Sequence, residues 1–188
     1  MTGTVNGDHL AWFEHVLQEA GKDPSIKHIF VQSHLPILQP VRKINSSAMF
    51  MDYAEASSFW KAMVEHKVDI YFAGEVHANT VTKDRNSNLI QVVSRGNNFN
   101  NFVTVDVSGD TILVKSFNEV GDLPRGDNHN HEIHGRLEIV KNAMDPDDLS
   151  IFSTGQLKIV DLDEPLIHFD FEDIFKMKTR PGKDHLLY

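Results

Sequence analysis

Two short apolar runs, His28-Ile29-Phe30-Val31-Gln32 and Val68-Asp69-Ile70-Tyr71-Phe72-Ala73, each follow an amphipathic helical segment. This alternation constrains the fold more than any other feature of the chain. Leu10, Phe13, Val16, Leu17 and Ala20 recur at helical spacing behind Asp8, the expected N-cap, before Gly21 and Pro24 stop the pattern. A second helix is expected over residues 53–66, with Phe59, Ala62 and Met63 on one side. Helices alternating with buried strands imply βαβ units and a parallel sheet. Function is then expected at the strands' C-terminal ends.

After Ala78 the pattern changes to closely spaced strands. Residues 80–83, 89–94, 102–107 and 111–118 read as strands, and Arg85-Asn86-Ser87-Asn88 and Ser108-Gly109-Asp110 as hairpin turns. Residues 121–130 are polar and loop-like. Beyond them, residues 136–140, 157–161 and 166–171 read as three further strands around a turn-rich segment at 145–150. The expected organisation is an α/β domain over residues 1–120 followed by a β-rich C-terminal extension over 121–188.

A chain of 188 residues can bury roughly 70% of its unfolded surface, enough for a real core. No apolar run approaches the ~18 residues of a membrane span, so none is expected. Eighteen Lys and Arg against 27 Asp and Glu give a formal charge of -9, which disfavours binding to a nucleic-acid backbone and would repel a phosphate ester unless metal cations intervene. With no cysteine, disulfides, thiolate metal sites and cysteine nucleophiles are excluded. The first residues lack a secretory signal pattern. A cytoplasmic protein is therefore expected, or a native start that lies upstream.

Both apolar runs end in potential metal ligands. The first runs into Ser33-His34-Leu35-Pro36, where the proline stops a regular ladder and leaves the imidazole at a turn. The second runs into Gly74-Glu75-Val76-His77, whose alternate side chains Glu75 and His77 can aim at one point beyond the sheet edge. In order, spacing and strand context, His34-Leu35-Pro36 followed by Gly74-Glu75-Val76-His77 resembles the last two motifs of the calcineurin-like metallophosphoesterases, a histidine before a proline turn and then Gly-His-x-His. Trp12 falls where that family often has a tryptophan, and the resemblance covers about residues 7–118.

The resemblance implies half of a four-layer αββα sandwich, in which two mixed sheets pack face to face with helices outside and two metal ions sit over the strand ends. It makes His34 a ligand of the second metal and His77 of the first. Glu75 stands where the family has a further histidine; a carboxylate can coordinate Zn, Mn or Fe, but adds charge that lowers Lewis acidity. The family's opening motifs, Asp-x-His, Gly-Asp-x-x-Asp and Gly-Asn-His-Asp/Glu, have no counterpart here, and Gly7-Asp8-His9 is only an echo at a helix start. The chain thus resembles the C-terminal half of such an enzyme. It would be inactive alone, with partial metal occupancy at most, and in need of its missing N-terminal half or of self-association. In the complete site, the resemblance implies in-line attack of a metal-bound hydroxide on a phosphate ester. Arg95, Asn97 and Asn98, with Asn100 and Asn101, are candidate substrate contacts; a polar loop between strands is the plainer reading.

Other eye-catching features have ordinary explanations. The histidines in Asp127-Asn128-His129-Asn130-His131-Glu132-Ile133-His134 can bind metal adventitiously, and Asp145-Pro146-Asp147-Asp148 lacks the spacing of an EF-hand. Trp12 and Trp60 are expected in the core. Two competing readings remain. One is a non-catalytic α/β binding module that has lost its metal site, and the other a β-rich interaction protein centred on residues 136–171.

Overall fold

A computed structural model describes residues 3–41, 49–96, 100–119, 131–145 and 147–163. The first helix, α1 (Gly7–Lys22), starts two residues earlier than expected, with Asn6 at the N-cap and Asp8 in the first turn, where its charge complements the helix dipole. The first apolar run yields only a short strand, β1 (Phe30–Gln32). A 3-10 turn at Ala54–Ala56 leads into α2 (Ser58–Glu65), where the Ser57 side chain caps the helix by accepting from the Trp60 N–H at 3.1 Å. The second run forms β2 (Ile70–Ala73), followed by β3 (Thr80–Lys83) and β4 (Ile90–Val93). The rest is strand: β5 (Asn101–Ser108), β6 (Thr111–Glu119), β7 (His131–Lys141), β8 (Leu149–Gly155) and β9 (Ile159–Val160).

The strands form two sheets, β1-β2-β4-β3-β9 and β5-β6-β7-β8. In the first, β1, β2 and β4 are parallel, as the helix–strand alternation requires, while β3 runs antiparallel to β4 and β9 parallel to β3. The second sheet is antiparallel throughout its described pairings. The protein is therefore a mixed α/β structure with two sheets and few helices.

Strand periodicity sends alternate residues of the first sheet into two different cores. Tyr71 and Val93 face α1 and α2 and pack with Leu17, Phe59, Trp60 and Met63. Ile70, Ile90 and Val92 face the second sheet and pack against Ile112, Val114, Leu137 and Ile139. Helices thus cover one face of the first sheet and the second sheet covers the other. Among the described residues no helix covers the outer face of the second sheet, where Phe102, Ile133 and Phe152 are exposed. Trp60 is a core residue, its indole N–H donating to Asp84 Oδ1 at 3.0 Å. Trp12 is not: it is 67% exposed. The face of α1 that meets the core runs through Leu10, Phe13 and Leu17, and Trp12 and Val16 lie off that stripe.

A buried ion pair joins the two sheets. Lys141 of β7 places Nζ 2.5 Å from Asp69 Oδ1 at the start of β2 and also donates to the Lys27 carbonyl at 2.8 Å. Asp69 Oδ2 accepts from the Ile29 N–H at 2.9 Å, and His28 Nε2 lies 2.8 Å from the Gly109 carbonyl in the β5–β6 turn. His28 therefore belongs to this junction rather than to β1. Each charge here has partners, which is the condition for burying it.

Candidate metal-ligand pair at the strand ends

The ladder between β1 and β2 continues past both strands, with Ser33 N–H donating to the Phe72 carbonyl and Gly74 N–H to the His34 carbonyl, each at 3.0 Å. These bonds hold the two strand ends side by side. A Cβ on Gly74 would meet the His34 carbonyl oxygen only at 3.9 Å, an ordinary contact, so crowding does not require a glycine there. What shapes the turn is Val76, fully buried in the helix-side core, with its N–H on the Gly74 carbonyl at 2.7 Å. Glu75 and His77 flank this plug, and both have left-handed backbone, φ 60° and 52°. Two such residues in three carry a local strain of the kind that concentrates at functional sites.

The loop after His34 is fixed from beneath. Buried Gln91 accepts from the Ile37 and Leu38 N–H groups at 2.6 and 2.8 Å and donates to the Leu38 carbonyl at 3.0 Å. The Tyr71 hydroxyl donates to the Leu35 carbonyl at 2.6 Å. His34 thus projects into solvent from an anchored backbone, and its Nε2 contacts Glu75 Oε2. With a proton on Nε2, imidazole donates to the carboxylate; a metal ion would replace that proton, using the same two atoms as ligands. The donor types, imidazole and carboxylate, suit Zn, Mn or Fe. His77 stands on the same turn as Glu75, but among the described residues no three His, Asp or Glu side chains converge into one metal-holding group.

Of the expected substrate contacts, Asn97 and Asn98 lie outside the described residues. Arg95 follows β4, its backbone N–H shared by Asn79 Oδ1 and Asn101 Oδ1, both at 3.0 Å. Asn101 is structural: buried, it donates to Ser116 Oγ, the Phe117 carbonyl and Asn118 Oδ1 at 2.9–3.0 Å. Asn79, which also donates to Gln156 Oε1 at 2.6 Å, sets the Arg95 backbone, a role its isolated position two residues past His77 did not signal. In the histidine-rich segment, residues 121–130 lie outside the described region. His131 packs edge-on to Phe102 and the His134 carbonyl accepts from Gln156 N–H, both within β7.

No family model matches the chain, and no curated protein matches it in sequence.

Proposed function

We propose that the chain supplies His34, Glu75 and His77 to a dinuclear metallophosphoesterase site, whose remaining ligands come from polypeptide outside this chain. The observation that carries this reading is the His34–Glu75 contact, which joins the ends of two adjacent parallel strands at the place where an α/β sheet gathers its functional groups. Metal ions bound there would supply Lewis acidity and an activated water for hydrolysis of a phosphate ester. The chain's own residues hold the ligands in place, through Val76, Gln91 and the shared Gly74–His34 hydrogen bond, and Arg95, at the end of β4, is the proposed contact for the substrate phosphoryl group.

The margin of the two sheets that is open among the described residues supports a missing half. The pairing register puts Phe30 on the same face as Ile70, and Val105 and Val107 on the same face as Val114 and Ile112, all looking into the space between the sheets. Yet Phe30, Val105 and Val107 are 38, 37 and 47% exposed. Both edge strands, β1 and β5, lie on the margin marked by the His28–Gly109 contact. Further strands added there would cover these side chains and extend both sheets toward the four-layer sandwich, leaving this chain inactive by itself.

The test is to express the chain together with its upstream reading frame and assay hydrolysis of mono- and diester substrates with added Mn, Zn or Fe. Hydrolysis that falls at least about 100-fold with His77→Ala or His34→Ala is the expected result. Loss of neither metal uptake nor activity in those variants would leave the alternative, an α/β binding module without a metal site.

A further inference from the structure

We infer that the chain carries a second binding site, for the phosphoryl group of a small anionic ligand, at the opposite end of the parallel strands from His34 and Glu75. A cavity of about 460 Å³ lies where the end of α2, the starts of β2 and β4, the β3–β4 turn and the β7–β8 connection meet. This volume is in the range of small-molecule pockets, roughly 300–1,000 Å³. It is separated from the strand-end turn by the length of β2 (Ile70–Ala73), roughly 13 Å at 3.3 Å per residue.

The chemistry of its wall differs from that of the protein as a whole. Lys67, Lys83, Arg85 and Lys141 face it against only two carboxylates, Asp69 and Asp147, a surplus of two positive charges in a chain of net charge -9. Asp84, nearby, is turned away, its oxygens accepting from the Trp60 indole and the Asn86 N–H. Lys141 is held by Asp69, so that junction fixes one cation in place. Lys83 donates to the Ser87 carbonyl at 2.9 Å and to no carboxylate among the described residues. Lys67 pairs with Asp147 at 3.0 Å and Arg85 contacts Asp163, but these pairs are largely exposed. Exposed pairs contribute little to stability and can be exchanged for a ligand at little cost.

Cations converging from separate elements, one of them a guanidinium fork, match a dianion with oxygen acceptors pointing in several directions. The turn residues Asn86, Ser87 and Asn88 line the same wall and add polar groups. A phosphoryl dianion meets these demands more fully than a planar carboxylate. The apolar part of the wall, Val64, Val68, Leu89 and Leu149, leaves room for the ligand's remaining body.

The test is calorimetric titration of the full chain with pyrophosphate in the presence of EDTA, so that no metal at the His34 end contributes. Saturable binding with a Kd of about 1 mM or tighter at low ionic strength is expected, weakening as salt is added. The double substitution Lys83→Ala with Arg85→Ala should reduce affinity at least about tenfold. Lys67→Ala, at an exposed position that leaves the fold alone, should reduce it in the same direction, and His77→Ala should not change it. Absence of saturable binding, insensitivity to the lysine and arginine substitutions, or loss in His77→Ala would each overturn the assignment. Malonate bound as tightly as pyrophosphate would overturn its phosphoryl character.

Discussion

Tyr71 connects the protein interior to a candidate metal ligand through one hydrogen bond, from its hydroxyl to the carbonyl of Leu35, the residue after His34. Burial pushes its pKa up to about 12, against a smaller lowering by the Ser33 side chain. In the unfolded chain the phenol ionises near pH ~10. Between pH about 10 and 12 the unfolded state therefore gives up its proton first, and stability that is intact below pH ~10 is lost as the pH rises through the folded pKa. Tyr71→Phe should cost about 1 kcal/mol near neutral pH, since the part-buried Leu35 carbonyl loses its donor, and should flatten the alkaline decline. Urea unfolding of both proteins at neutral pH and near pH ~11 measures the two effects. The sequence shows Tyr71 as a core residue through its place in the apolar run. It does not show the partner of the hydroxyl, nor the three backbone groups gathered by Gln91, because both reach residues far along the chain. Trp12 illustrates the reverse difficulty: helical spacing alone cannot say how wide a stripe the core will cover, and the stripe on α1 is too narrow to include it.

The elements themselves were legible wherever one period dominated. Both helices, β2 and the β5–β6 hairpin follow directly from apolar spacing and turn residues, whereas β8 does not, because the acids at 145, 147 and 148 make its approach look like turn. Its alternation is nevertheless regular, with Leu149 and Ile151 packed against the inter-sheet core and Phe152 turned outward. Two glycines govern this part of the fold. Gly135 and Gly155 are register partners on β7 and β8; a Cβ on Gly135 would lie 2.6 Å from the Leu157 nitrogen, and one on Gly155 2.1 Å from the His134 oxygen. Gly155 also has φ +59°, a conformation costly for other residues. Gly135→Ala and Gly155→Ala should each destabilise the protein by about 1–3 kcal/mol or more. The lowered unfolding midpoint in urea is the measurement, and midpoints equal to the parent's would show that the connection after β8 yields freely.

At the scale of the whole molecule, the defining asymmetry among the described residues is a two-sheet packing closed on the β8–β9 side and open on the β1–β5 side. The closed side is secured by the pairing of β3 with β9 and by the Ile159 N–H on Ser153 Oγ at 3.1 Å. On the open side, apolar inner-face residues and unextended strand edges invite further pairing. The isolated chain should therefore self-associate with rising concentration, and Val107→Lys should shift it toward monomer in sedimentation velocity without lowering its melting temperature, since the side chain is already half in solvent. A parent chain that stays monomeric at all concentrations would contradict this. The candidate ligands were visible in the sequence because strand ends announce themselves by composition. The cationic cavity was not, because its lysines and arginine come from three separate stretches of chain. The pairing of β9 with β3 also has a consequence for biosynthesis. Among the described residues, the last strand of the first sheet emerges from the ribosome after all four strands of the second, so a chain halted at Gly155 would lack the strand that pairs with β3.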